Sequence, residues 1–196
     1  MTKILRIDSS IKGDASVSHK LLDRTLARLT AAHPGAEVAS RDLSAGIPAI
    51  DGAWIGAIFT PAADRDAGQA EIAAFSDTLL AEVRAADTLL IALPVYNFGV
   101  PAQLKAWFDH LGRNGETFRY TEAGPEGLLK GKRAFVVFTS DGTQFGSEID
   151  FASGWVKQML GFFGITDVQF VHADQLVFDA EATLKAAEAQ IDALAV

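Results

Sequence analysis

Serine hydroxyls crowd the first segment that could do chemistry, Asp8-Ser9-Ser10-Ile11-Lys12-Gly13-Asp14-Ala15-Ser16-Val17-Ser18. It follows an apolar run, Ile4 to Ile7, and leads into a helical pattern. Hydroxyls and free backbone N–H groups at a helix N-terminus hold a phosphate, and the helix dipole favours the negative charge. With little positive side-chain charge nearby, the fit is to a monoester held by dipoles. The same serines also suit an ordinary N-cap. No G-x-G-x-x-G follows the strand, so this is not a dinucleotide fingerprint.

The second segment is Pro94-Val95-Tyr96-Asn97-Phe98-Gly99-Val100-Pro101. Two prolines stiffen it, and Gly99 is expected to take unusual dihedrals or to allow close backbone approach. Tyr96 and Phe98 offer flat faces. Asn97 and the backbone offer donors and acceptors. The set suits a planar heteroaromatic ring with polar edges; the competing reading is a structural turn with buried aromatics. The third segment, Thr139-Ser140-Asp141-Gly142-Thr143-Gln144-Phe145-Gly146, is polar and could hydrogen-bond the far edge of the same ring, or be a solvated loop.

Other chemistries are excluded. The chain has no cysteine, which removes disulfides, thiolate catalysis and Cys-ligated metals. His19, His33, His110 and His172 lack metal-ligand spacing, so no metal site is expected, and each is read as a surface or capping residue. Gly127-Leu128-Leu129-Lys130-Gly131-Lys132 precedes a strand and lacks the Ser or Thr of a P-loop. Ser140 is not in a G-x-S-x-G elbow. A net charge of −8 with no basic run argues against nucleic acid or an anionic membrane as partner. The N-terminus does not read as a signal peptide, and no stretch approaches a membrane span. A soluble, cytoplasmic protein is expected.

Short apolar runs alternating with helical patterns must position these segments. Strands are expected at Ile4 to Ile7, Glu37 to Asp42, Thr88 to Leu93, Ala134 to Phe138 and Val168 to Val171. Thr88 to Leu93 is continuously apolar, as a central strand covered on both faces should be. Helices are expected through Leu22, Leu26 and Leu29; through Ile72, Phe75, Leu79 and Val83; through Leu104, Trp107, Phe108 and Leu111; through Phe151, Trp155, Met159 and Phe162; and from about Asp179 to Leu194. Trp107 and Phe108 read as core. Leu43 to Gly68 is an irregular excursion with one short helix around Trp54. The β-α-β alternation implies an α/β fold with a parallel sheet and helices on both faces. Five strands in the order 2-1-3-4-5 form a flavodoxin-like, doubly wound sheet, with the ligand crevice at the ends of strands one and three. Residues 1–196 read as a single domain.

The chain resembles the FMN-dependent NADH-azoreductase and NAD(P)H:quinone oxidoreductase family. The resemblance rests on Ser10 with Ser16-Val17-Ser18, on Val95-Tyr96-Asn97-Phe98, on Phe118-Arg119-Tyr120-Thr121-Glu122 with Gly124-Pro125-Glu126-Gly127-Leu128, and on Gly161-Phe162-Phe163-Gly164-Ile165. It implies one FMN per subunit, with NADH or NADPH as donor and a quinone or azo compound as acceptor. It implies that Ser10, Ser16, Val17 and Ser18 hold the FMN phosphate, that Val95, Tyr96, Asn97 and Phe98 line the isoalloxazine, and that Ser140, Asp141, Gly142 and Thr143 border its pyrimidine edge. It also implies a homodimer in which Tyr120 and Phe162 wall the flavin bound to the other subunit. No acid or base is needed in the crevice, since a backbone N–H or the Asn97 amide near flavin N5 would suffice to tune hydride transfer. Trp54 and Phe59, which have no obvious core to enter, and the aromatics Phe118, Tyr120, Phe162 and Phe163 are candidates for that interface. The family usually has Met where Val95 stands and a Gly-Gly pair where this chain has Gly142-Thr143; some relatives carry a basic residue near Phe59. Two alternatives remain open: a flavodoxin-type FMN electron carrier serving a protein partner, and a flavin-free domain of the same fold.

Overall fold

The computed structural model describes residues 1–196. Its strands are β1 (Lys3–Asp8), β2 (Glu37–Asp42), β3 (Thr88–Pro94), β4 (Phe118–Thr121), β5 (Gly124–Gly127), β6 (Arg133–Thr139) and β7 (Asp167–Ala173). Its α-helices are α1 (Val17–Ala32), α2 (Gly52–Phe59), α3 (Ala67–Ala85), α4 (Ala102–Leu111), α5 (Ser153–Phe163) and α6 (Ala180–Asp192). Five strands make one parallel sheet in the order β2-β1-β3-β6-β7. With the β4–β5 hairpin set aside, that is the expected order 2-1-3-4-5.

Every residue of β3 is buried, because helices cover both faces of the sheet. The strand divides its side chains by the two-residue period of a pleat. Leu89, Ile91 and Leu93 join the core under α3, α4 and α5, whereas Leu90 and Ala92 join the core under α1 and α6. Trp107 and Phe108 fill the first core, as their spacing foretold. A fully buried Leu or Phe contributes about 1.5–3 kcal/mol, so this central strand fixes the frame on which the loops stand.

Four expectations change. Trp54 does have a core: it is 5 % exposed and meets the His110 ring edge-on at 5.1 Å. His110 is therefore no surface residue. It is 1 % exposed, with Nε2 3.0 Å from the Pro48 carbonyl oxygen. The excursion folds back over the α3–α4 side and covers both rings. Third, the segment Phe118 to Leu128, which carried no secondary-structure signal, contains the antiparallel β4–β5 hairpin. Its two glycines and Pro125 hid the strands, because the pairing is local and only Phe118 is buried.

Fourth, Phe151 lies before α5, not on it. Asp150 Oδ1 accepts the N–H groups of Ala152 and Ser153 at 3.0 and 2.9 Å, and α5 begins at Ser153. The buried line of α5 is Val156, Leu160 and Phe163. Trp155, Met159 and Phe162 form the adjacent stripe and are only partly buried. Two neighbouring apolar stripes fit one helical period, and periodicity alone does not say which faces the sheet.

Candidate active site

The loops after β1, β3 and β6 meet at the carboxyl end of the sheet, where strand order reverses. After β1, Ser9 Oγ donates to the Ala92 carbonyl on β3 at 2.8 Å and ties the first loop to the central strand. Ser10, Ser16 and Ser18 are each 1 % exposed. Ser16 is the N-cap of α1: its Oγ accepts the His19 N–H at 3.2 Å and lies 2.9 Å from Ser18 Oγ. The first-turn amides of Val17 and Ser18 have no intrahelical acceptor, as in any helix. Below them, Asp8 accepts from Arg6 Nε at 2.7 Å and lies 3.4 Å from His19 Nε2. The hydrogen bond to Asp8 raises the Arg6 pKa, so this support is permanently charged.

After β3, the chain makes a two-residue hairpin. Tyr96 N–H donates to Gly99 O at 3.0 Å and Gly99 N–H returns to Tyr96 O at 3.1 Å. Both central residues have positive φ, Asn97 at 49° and Phe98 at 67°. That is the pattern of a type I′ turn. Gly99 is thus not the residue with unusual dihedrals: its φ is ordinary, and an added Cβ would stand 3.9 Å from the nearest atom. Asn accepts the left-handed region readily, but Phe98 does so at a cost of about 1–2 kcal/mol. Such strain survives where the surroundings enforce it and is concentrated at functional sites. Here Val95 N–H donates to Thr139 O at 2.8 Å and anchors the loop to β6.

Tyr96 links the first two loops. Its hydroxyl lies 3.3 Å from Ser10 Oγ and accepts the Ile11 N–H at 3.2 Å. On one side of it lies a small pocket of ≈ 140 Å³, lined by Ser10, Ser16, Val17, Ser18, Ser140 and Asp141 among others. On the other side lies a larger cleft of ≈ 880 Å³, floored by Val95, Tyr96, Asn97 and Val100 and walled by Phe151 and Trp155. Val95 and Tyr96 belong to both, so the two spaces form one trough. Lys12 Nζ and Asp141 Oδ2 face each other at 3.6 Å between the first and third loops.

The third loop is only partly in the site. Ser140 and Asp141 line the small pocket, but Gly142 and Thr143 do not. Thr143 is 6 % exposed, and its carbonyl accepts the Ser140 hydroxyl. Its role is to shape the loop. Phe98 is exposed and lines neither the small pocket nor the large cleft.

The sequence reading passed over Ala102, Gln103, Lys105, Phe151 and Trp155, which line the large cleft, and Leu176, which lines the small pocket. Leu176 had a usable signal, since it follows the strand that flanks β6. Phe151 and Trp155 were read as one helix face.

Asn97, Tyr120 and Phe162 are not brought together within the chain. Tyr120 lines a separate groove of ≈ 730 Å³ with Trp54, Phe59 and Met159. Phe162 packs on Phe118, centroids 4.4 Å apart, while Phe163 completes the core face of α5. Of the expected surface aromatics, Phe59 and Tyr120 are 76 % and 71 % exposed.

Comparison with known proteins agrees with this geometry. A family model described as flavodoxin-like fold matches residues 2–195. The chain is 62 % identical over 195 residues to an FMN-dependent NADH:quinone oxidoreductase of Cereibacter sphaeroides, with 100 % of both chains covered. It is 57 % identical over 195 residues to a protein of that name from Jannaschia, again with full coverage of both. Among solved structures, it superposes with a TM-score of 0.89 on an FMN-dependent NADH-azoreductase from Bacillus anthracis in complex with FMN. That pair shares 28 % identity, covering 98 % of this chain and 97 % of the other.

Proposed function

The chain belongs to the flavodoxin-like family, and within it to the FMN-dependent NADH:quinone oxidoreductases, and on that premise we propose that it transfers two electrons from NADH, through bound FMN, to quinones and azo compounds. The observation that carries this reading is the single trough, in which a small hydroxyl-lined pocket at a helix N-terminus opens past Tyr96 into a large apolar cleft. A terminal phosphate and a flat ring require that sequence of environments. The flavodoxin-type carrier explains less, because the full-length relatives bear the names of enzymes with small-molecule acceptors.

The residues fit FMN. Ser10, Ser16 and Ser18 present three buried hydroxyls, and the first-turn amides of Val17 and Ser18 add donors. These hold a phosphate dianion by hydroxyls and helix amides, with Lys12 the one cation lining the small pocket. Val95, Tyr96 and Asn97 meet the ring, with Phe98 completing their turn, and Ser140 and Asp141 border its pyrimidine edge, with Gly142 and Thr143 shaping that loop. Residues 1–196 act as one FMN-binding domain.

FMN held there would supply the redox chemistry, linking a hydride from NADH to two-electron reduction of the acceptor. The protein binds, orients and tunes. Asn97 projects from a strained, fixed turn into the cleft and orients the ring and the nicotinamide with its amide. Phe151 and Trp155 keep one wall apolar. The cleft is one space, so NADH and acceptor occupy it in turn.

The homodimer belongs to the same proposal. Tyr120 and Phe162 share no cleft with Asn97, yet Tyr120 is exposed in a groove with the exposed Phe59. A two-fold interface lets these aromatics wall the partner's cleft. A cytoplasmic location suits the reading, because NADH is a cytoplasmic reductant.

Steady-state kinetics with NADH and NADPH against a benzoquinone and an azo dye tests the function. We expect parallel double-reciprocal lines, faster turnover of the quinone, and FMN as the flavin released on heating. Released FAD, or no NADH-dependent reduction of either acceptor, overturns the reading.

A further inference from the structure

The loop after β6 is held from outside as well as by its own Ser140–Thr143 bond. Ser140 N–H donates to Ala173 O at 3.1 Å, Leu176 N–H to Ser140 O at 3.1 Å, and Val177 N–H to Asp141 O at 3.0 Å. The chain leaving β7 therefore runs beside Ser140-Asp141 and continues the sheet past its formal end. Between those bonds stands Gln175, with a left-handed φ of 59°. Positive φ is uncommon for a residue other than glycine, and here both neighbouring stretches are held by hydrogen bonds.

Asp174 is the fixed point. Its Oδ2 accepts the Phe145 N–H at 2.9 Å, and its Oδ1 pairs with His172 Nδ1 at 2.8 Å. The His172 ring stacks on Phe145, centroids 4.6 Å apart and planes 6° off parallel. Burial pushes the Asp174 carboxyl up, but the hydrogen bonds from His172 and the Phe145 amide outweigh it and hold the group below the usual carboxylate range. One ionised carboxylate thus clasps both ends of the system: the strand behind the loop and the loop's far end. Asp174, His172 and Phe145 line neither the small pocket nor the large cleft. Whatever they do for the site they do through Ser140 and Asp141.

We propose that Asp174 is a positioning residue for the cofactor cleft: clamped by His172 and the Phe145 amide, it presses Ser140-Asp141 against the ring-edge side of the trough and so sets how tightly FMN is held and at what potential. This rests on the FMN reading above. The Asp141 carboxylate is the one acidic group lining the small pocket. A shift of its loop by a fraction of an ångström changes the charge felt by the more electron-rich, reduced form more than by the oxidised one.

The test uses the purified holoenzyme of the wild type and of Asp174→Ala, Asp174→Asn and His172→Phe. Two quantities are read: the rate at which FMN fluorescence appears on dilution, and the midpoint potential by equilibration with a reference dye. Asp174→Ala should release FMN roughly tenfold faster and change the ratio of oxidised to reduced FMN affinity roughly tenfold, which is about 30 mV for a two-electron couple. Asp174→Asn keeps an oxygen for the Phe145 N–H and should recover most of both. His172→Phe keeps the stack on Phe145 but loses the Nδ1 partner, and should shift the potential partway with near-normal unfolding temperature. These two variants decide the matter should Asp174→Ala fail to fold. Wild-type release rate and potential in every folded variant overturn the inference, even with a lowered unfolding temperature, because Asp174 is then only structural. A wild-type protein that takes up no FMN overturns the functional reading itself.

Discussion

Gly127 on β5 and Gly164 at the end of α5 lie backbone against backbone. A Cβ on Gly164 would stand 2.9 Å from the Gly127 carbonyl carbon and 3.0 Å from its oxygen, and a Cβ on Gly127 would overlap the Gly164 amide. Gly164 also carries the left-handed φ of 99° that ends α5. Two glycine-bearing stretches far apart in the chain are thus two sides of one contact. That contact seats the hairpin that carries Tyr120.

Gly127→Ala should therefore push the hairpin off α5. Overpacking against backbone costs about 2 kcal/mol, which lowers the unfolding temperature by roughly 4–8 °C in a chain of this size. Thermal unfolding by circular dichroism measures it. Gly161→Ala is the control, since a Cβ there meets nothing within 4 Å. Equal unfolding temperatures for the two variants would show that the contact relaxes without cost.

Ser18→Ala tests the phosphate cradle more cleanly than Ser16→Ala. Ser16 caps α1, so its loss costs about 1 kcal/mol of stability in addition to any binding effect. Ser18 has only the Ser16 hydroxyl as a side-chain partner. A hydrogen bond to a charged group is worth about 1.5–3 kcal/mol, so the FMN dissociation constant should rise roughly 10- to 100-fold. Fluorescence titration reads this, and an unchanged constant removes Ser18 from the phosphate site.

Asn97→Gly separates turn geometry from chemistry. Glycine adopts the positive φ of 49° without penalty, so the hairpin and FMN binding should persist. Loss of the amide should slow FMN reduction by NADH roughly tenfold, the worth of one neutral hydrogen bond. Stopped-flow absorbance follows that half-reaction. A rate equal to wild type would mean that Asn97 serves the turn alone.

Phe162→Ala and the mass in solution test the shared site together. Light scattering at micromolar concentration should give twice the 20.9 kDa of one chain. Phe162→Ala should change the quinone-to-azo rate ratio roughly fivefold or more, a loss of about 1 kcal/mol of selective contact, while FMN is retained as in wild type. A fully active monomer is the result that refutes the arrangement.

Strand order, the two-faced burial of β3, the core role of Trp107 and Phe108, and the three loops that meet at the switch point were all legible in the sequence. Each follows from a local rule that the chain carries with it: continuous apolar runs for strands covered on both faces, helical spacing between them, and one ligand crevice per sheet of this topology. Asn97 and the buried serines were identifiable for the same reason, since they lie in short segments immediately after strands.

Tertiary structure alone decided the rest. Trp54 and His110 are a contact between an excursion and a helix more than fifty residues later, and neither residue's own neighbours foretell it. The assignment of positive φ to Asn97 and Phe98, not Gly99, came from the register of a hairpin two residues long, which composition does not specify. Which stripe of α5 faces the sheet, the seat of Gly127 on Gly164 and the grip of Asp174 on Phe145 all depend on where separate elements come to rest against each other. Sequence carries the period of each element; the phase between elements is a property of the packed core, where sterics admit one arrangement of many that the periods allow.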